Sequence, residues 1–334
     1  MPETTTSAKA GLYLSLAQNA ITQHAFRQAG AYADSALREG GREAASYLVA
    51  TDVALELGDI QSATWALQKF TNKNSFAHLI RQAKVKDHEG QLDSAIIIME
   101  QAFSRIKGNK DLYCWTLSNL GDMYGHASRV TDAYQAYLSV LQKDPGYDYA
   151  LKGIAWIALS HDHNYTEAKR IITTLASRSR MPEAHLMLKE IAEMENDNRE
   201  KLKQLELFLA MTGHDAYQAM YAKYLAIVYI DDLQNPEKGL AIAENEIASR
   251  PTAQSFALKA WALLNLGRKK EALQIAQQYV EGRTFEPEVI YYLALIYKAN
   301  GLEDEAEEYL EKAFESTFEL GPSAAATIKR QLDK

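Results

Sequence analysis

Small residues recur in this chain at a spacing that helices alone have no reason to keep. In the stretch Cys114 to Tyr147 (CWTLSNLGDMYGHASRVTDAYQAYLSVLQKDPGY), Gly121 stands at the eighth place, Ala133 at the twentieth and Pro145 at the thirty-second. Tyr124 and Tyr137 take the eleventh and twenty-fourth. The same frame laid from Ala10 puts Ala17 and Ala29 in the two small places; from Ala44 it puts Thr51 and Ala63 there, with Gly58 at the turn. From Phe76 it gives Ala83, Gly90 and Ala95, and from Asp148 it gives Ala155 and, after one inserted residue, Ala168. Ala253 leads to Ala260, Gly267 and Ala272, and Pro287 to Ala294, Gly301 and Ala306. Starts at 10 and 44, at 114 and 148, and at 253 and 287 are each 34 apart. A fixed period of this length is the mark of stacked supersecondary units. Small residues at two facing places let an antiparallel helix pair approach closely. The late proline ends the second helix, because it lacks an N–H and disfavours helix in the residue before it.

Two frames are degenerate. From Pro182 the small places hold Lys189 and Lys201, so this pair is expected to pack loosely or splay. From about Ala219 the frame recovers Leu225, Ala226 and Tyr229, then needs one extra residue between Asp231 and Pro236. The reading is nine helix pairs. They start near residues 10, 44, 76, 114, 148, 182, 219, 253 and 287, after a flexible polar leader over 1–9. The irregular stretch 178–218 offers a bend between two halves, but no Gly/Ser/Pro-rich linker separates them, so one continuous array over 10–320 is expected. Residues 321–334 (GPSAAATIKRQLDK) read as a capping helix with Ile328 and Leu332 on one side.

This pattern resembles the tetratricopeptide repeat over about residues 10–320. The resemblance implies an all-α fold, a right-handed superhelical solenoid of about nine helix-turn-helix repeats with first helices lining a concave face. It also implies a non-catalytic protein-interaction scaffold, in which each unit is stabilised by its neighbours. In this repeat type the second, fifth, sixth, ninth, twelfth and thirteenth places of the first helix face the groove. Those places hold Arg81, Lys84 and His88, then Trp115, Ser118, Asn119, Asp122 and His126, then Tyr149, Lys152 and Trp156. Aromatic rings beside cations and an amide are the residue types that dominate binding hot spots. A protein or peptide partner in this groove is therefore expected. Trp65 and Trp261 are expected in the core, and Tyr291, Tyr292 and Lys298 form a second, weaker groove cluster. Members of the family that bind chaperone tails use a clamp of Lys, Asn and Arg. Here the first two units offer Leu14, Gln18, Leu48, Val49 and Asp52 instead, so an unrelated clamp of Arg81, Asn119 and Lys152 is the remaining candidate for an acidic peptide. The chain's own terminus is another candidate occupant.

Composition limits the alternatives. The formal charge of −8, with no basic tract longer than Gly267–Lys270 (GRKK), speaks against nucleic acid, whose affinity comes from clustered cations. No apolar run approaches the ~20 residues of a membrane span. The single cysteine, Cys114, excludes an intrachain disulfide and reads as a helix thiol among Tyr113 and Trp115. No signal peptide is visible, so the location is cytoplasmic at face value, and periplasmic or lipoprotein-anchored if a signal was trimmed.

Catalytic motifs are absent: no phosphate loop, paired-His zinc helix or nucleophile elbow is found, and no cofactor is implied. Asp231-Asp232 and the Glu303–Glu308 run read as solvated surface. His161-Asp162-His163-Asn164 has the residue types of a transition-metal site, with His126 in the preceding turn, but also those of a lengthened turn that caps the helix opening at Thr166. Beside the scaffold, two other functions remain: an exported or surface-anchored receptor for a glycan or small ligand, and a metal-dependent enzyme built on His126, His161, Asp162 and His163.

Overall fold

The computed structural model describes residues 2–40, 43–213 and 219–333. Among these residues the chain is all α, with nineteen helices and no strand. Helices come in consecutive pairs. The first three are α1 (Pro2–Thr22) with α2 (Phe26–Glu39), α3 (Glu43–Glu56) with α4 (Ile60–Lys69), and α5 (Phe76–His88) with α6 (Leu92–Phe103). Then follow α7 (Lys110–His126) with α8 (Val130–Lys143), α9 (Asp148–Ser160) with α10 (Tyr165–Arg178), and α11 (Glu183–Met194) with α12 (Asn198–Thr212). The last three pairs are α13 (Ala222–Ile227) with α14 (Pro236–Ser249), α15 (Ala253–Asn265) with α16 (Lys269–Ile275), and α17 (Pro287–Ala299) with α18 (Glu303–Glu315). A final helix, α19, spans Thr317–Leu332. α1 begins at Pro2, inside the stretch expected as a flexible leader.

The small places do what their spacing predicts. Ala17, Ala29, Thr51, Ala63, Ala83, Ala95, Ala133, Ala155, Ala168, Ala226, Ala260, Ala272, Ala294 and Ala306 are all at most 1% exposed. At Gly121 the reason is a partner ring. A Cβ there would lie 2.5 Å from Cε1 of Tyr137, and one at Gly153 would be closer still. The ring of Tyr137 thus wedges between the backbones of α7 and α9.

Each turn within a helix pair places one residue at positive φ. Gly58, Gly90, Gly267 and Gly301 lie at φ 73° to 77°, where a side chain would be strained. His24, Ser128 and Asn196 hold the same place at 56° to 58°. The next N–H then closes back on the helix, as Asp59 does on the Ala54 carbonyl at 2.9 Å and Arg129 on that of Tyr124 at 2.7 Å. The two lengthened turns reach one residue further: Asn164 N–H meets Ala158 and Asn235 N–H meets Tyr229, both at 2.7 Å. His163 and Gln234 hold the positive-φ place there. In the seventh pair the extra residue is absorbed by a π-helical turn, Val228–Asp232. Gly239 supplies the small residue, pressed against the Ile230 side chain.

The sixth pair does not splay at its lysines. Both ammonium groups converge on Glu193 Oε1, Lys189 at 3.3 Å and Lys201 at 2.6 Å. Beneath them Met187, Leu188, Ile191, Leu205 and Phe208 are buried, and His185 Nδ1 lies 2.7 Å from Gln204 Oε1. A shared carboxylate takes the place of the missing small residues.

Packing divides the chain into two compact units. The first joins Met1–Arg105 with Ala216–Phe285, the second Ile106–Asp215 with Glu286–Lys334. Within the first, Ser249 Oγ donates to the His24 carbonyl at 3.0 Å, and Arg250 reaches Glu56 at 3.1 Å as well as Glu246. Thr252 packs on Gly58 and Phe285 on Gly90. Within the second, α19 packs on α7, α9 and α11 as well as on α17 and α18. These pairings link residues far apart in sequence, which a repeat read from neighbour to neighbour does not specify.

Two tryptophan expectations need correction. Trp65 is 51% exposed: it lies edge-on to Tyr47 at 6.0 Å, with the Lys69 ammonium 5.8 Å from its ring. Trp261 is only half-buried, its indole N–H donating to Asp231 Oδ1 at 2.8 Å. Tyr292, assigned to a groove, is buried in the core, whereas Cys114 is a buried thiol whose pKa burial raises.

Candidate functional site

The second unit gathers seven of the nine groove candidates, and α19 packs on α7 and α9 against two of them, His126 and Trp156. α19 is broken at Gly321, whose φ of 82° and ψ of 168° separate a short turn from a helix that resumes at Pro322. Every element beneath contributes a contact to this break. From α7, Gly125 leaves room for the Phe318 ring; a Cβ there would lie 2.6 Å from its Cε1. From α9, the indole N–H of Trp156 donates to the Phe318 carbonyl at 2.9 Å. From α11, Glu190 approaches Gly321 so closely that a Cβ would overlap its carboxylate, and Oε1 accepts the Ser323 N–H at 3.5 Å. His126 Nε2 lies 3.8 Å from Glu319 Oε2. Gly321 and Pro322 are buried by these contacts, while Thr317, Phe318 and Glu319 are half-buried.

Two carboxyls on this face are perturbed. Burial raises Glu190 from 4.5 to about 7, against the opposing pull of Lys189 and the Ser323 N–H, with Glu193 adding to the rise. Asp122 reaches solvent, yet the protein mass around it pushes its carboxyl up, partly offset by the Tyr137 hydroxyl, Lys152 and His126. Tyr137 donates to Asp122 Oδ1 at 2.5 Å, and burial followed by the Asp122 charge raises its own pKa. A hydroxyl locked to a carboxylate in this way orients α8 against α7.

The other candidates are placed as follows. Trp115 is 36% exposed and its carbonyl accepts the Asn119 side-chain amide at 2.7 Å. Tyr149 is 58% exposed, with the Lys152 ammonium 5.4 Å from its ring centre. Ser118 is buried instead of facing a groove. Arg81 and Lys84 belong to the first unit. Lys84 is exposed. The Arg81 guanidinium is already committed: it holds Asp52 at 2.5 Å and the carbonyls of Leu48 and Ala77 at 3.2 and 2.8 Å. That overturns its assignment as a clamp for an acidic peptide.

The histidine cluster takes the turn role. His161 Nδ1 pairs with exposed Asp162 at 2.8 Å, His163 occupies the positive-φ place, and Asn164 accepts the Glu167 N–H at 3.2 Å as a helix cap. His126 instead faces Glu319. Among the described residues no three His, Cys, Asp or Glu side chains gather to hold a metal, and no helix is long and apolar enough to cross a membrane.

Glu190, Gly125 and Phe318 were not among the candidates. Glu190 was within reach of the frame, because Asp122, Trp156 and Glu190 all stand at the ninth place of successive first helices. Extending the groove positions into the degenerate sixth unit would have found it.

Comparison with known proteins agrees with this architecture. A tetratricopeptide repeat family model matches residues 287–319. Among solved structures, a monomeric IFIT1 mutant determined with Gppp-AAAA is similar at 16% identity, over 86% of this chain and 67% of that chain, with a TM-score of 0.50. A tetratricopeptide repeat protein from Parabacteroides merdae is 18% identical over 82% of this chain and 99% of its own, with a TM-score of 0.42. PilF of Pseudomonas aeruginosa is 13% identical over 66% and 99%, with a TM-score of 0.48. At such identities these likenesses concern the fold alone. No curated protein matches the sequence. Repeats of this kind commonly mediate protein–protein interaction and are generally non-catalytic. The matched unit at 287–319 and the run of helix pairs built on one frame make the chain similar to tetratricopeptide repeat proteins in fold.

Proposed function

We propose that this protein is a non-catalytic scaffold that binds a segment of a partner protein along the inner face of α7, α9 and α11, where α19 now lies. The observation that carries this reading is the Trp156 indole donating to a main-chain carbonyl of α19 at 2.9 Å. A side chain that grips backbone recognises a chain segment whatever its sequence, while neighbouring contacts select the side chains. The perturbed carboxyls serve the same end. Asp122 is tied to Tyr137 and Glu190 to the Ser323 N–H, so both hold structure in place. A net charge of −8 disfavours a phosphate backbone, which is the chemistry of the RNA carried by the IFIT1 structure. Tyr149, Lys152 and Trp115 flank the face and offer exposed apolar and cationic surface to a longer partner.

Because α19 competes for the face, the test opens it first. Phe318→Ala removes the ring from beside Gly125 without altering the groove. Quantitative mass spectrometry then compares proteins retained by full-length Phe318→Ala and by Phe318→Ala/Trp156→Phe. Loss of one hydrogen bond of ~1 kcal/mol predicts about five-fold less partner on the double variant. A partner retained equally by both would defeat the reading.

A further inference from the structure

We infer that the partner segment carries the pattern aromatic, acidic, any residue, glycine, proline, followed by a helix without its own cap, and that α19 is the internal copy of that ligand. The inference rests on the scaffold reading and specifies its partner. Four features of the face require the pattern. The aromatic is set by Gly125: the Phe318 ring occupies the space that a side chain of α7 would fill. The acid is set by His126, 3.8 Å from Glu319. Glycine is needed three places after the aromatic for two separate reasons, since Gly321 lies at φ 82° and its missing side chain makes room for the Glu190 carboxylate. Proline then starts a helix at the position where a missing N–H costs nothing.

The last feature concerns the helix itself. A helix begins with orphan N–H groups and a partial positive charge, ordinarily met by a Ser, Thr, Asp or Asn just before it. In α19 that place is Gly321, which has no side chain to offer, and Glu190 of α11 accepts the Ser323 N–H instead. The face therefore supplies the cap. A free segment with this sequence begins its helix poorly and gains it on docking, so capture and helix formation are coupled. The grip of α19 on this face is separate from its anchor, because Ile328, its one large side chain that is fully buried, packs with Ala294, Leu310 and Ala313 of α17 and α18.

The test uses the full chain and a fluorescein-labelled peptide with the sequence of residues 315–333, followed by anisotropy. The peptide is expected to bind Phe318→Ala protein at least ~10-fold more tightly than wild type, whose face is filled. Peptides with alanine in place of the aromatic or of the glycine should each bind ~10-fold more weakly. Introducing Glu190→Ala into the Phe318→Ala protein should shrink the glycine-to-alanine penalty at least ~3-fold, because only the backbone strain then remains. Binding that ignores both peptide substitutions, or no binding to a Phe318→Ala chain that circular dichroism shows to be folded, overturns the inference. If the peptide fails while a captured partner still discriminates against Trp156→Phe, this motif is wrong and the scaffold reading stands. If the peptide obeys the pattern while the captured partner ignores Trp156, the motif stands as a purely internal contact and the scaffold reading falls.

Discussion

Glu190 makes the docking of α19 depend on pH, in a direction the structure fixes. Docked, its carboxyl sits at about 7 against an ordinary 4.5, chiefly through burial, with Lys189 and the Ser323 N–H pulling it down and Glu193 pushing it up. An acid raised on docking stays protonated where the released form ionises. Its contribution is therefore complete below pH 4.5, declines through the interval and is lost as pH rises past 7. The interval of 2.5 between 4.5 and 7 corresponds to about 3 kcal/mol if α19 supplies all of the burial. Between pH 5 and 8 the expected loss is thus up to ~2.5 kcal/mol. Hydrogen exchange of amides in 317–332, corrected for intrinsic rates, reads this as a falling opening free energy. Measuring in a His126→Gln background removes the imidazole that lies 3.8 Å from Glu319. Glu190→Gln retains an acceptor for the Ser323 N–H and flattens the profile. A wild-type profile already flat, or a Glu190→Gln profile with the same slope, would refute the reasoning.

Other predictions follow from packing and turns. Gly153→Ala forces a Cβ into the buried Tyr137 ring and should cost ~2–3 kcal/mol in urea denaturation, whereas Gly108→Ala, with nothing within 4 Å of the added carbon, should cost ~1 kcal/mol from its positive φ alone. Ser128 holds the place at φ 58° where Gly58, Gly90, Gly267 and Gly301 stand in other turns, so Ser128→Gly should stabilise the chain by ~0.5–1 kcal/mol, seen as a rise in Tm.

What the sequence specified, it specified through side-chain size. Ala17, Ala63, Ala133 and Ala260 announced close helix contacts because only a small residue fits there, and each is fully buried. Charge was less informative. Lys189 and Lys201 suggested a splayed pair, but Glu193, four residues along from Lys189 in α11, drew both together. Arg81 looked like a binding cation because its consort, Asp52, lies a whole repeat away. The site was half legible for the same reason: Asp122, His126 and Trp156 follow from helix places, whereas α19 reaches the face through pairings with no fixed spacing. His126 to Glu319 spans 193 positions and Trp156 to Phe318 spans 162. Glu190 went unread because its unit had lost the small residues that mark the frame.

If partner and α19 exclude one another on one face, hydrogen exchange of the wild-type chain, alone and saturated with the partner retained by Phe318→Ala, shows it. The partner should speed exchange in 317–332 while α7, α9 and α11 stay protected. A saturating partner that leaves α19 as protected as before would contradict it.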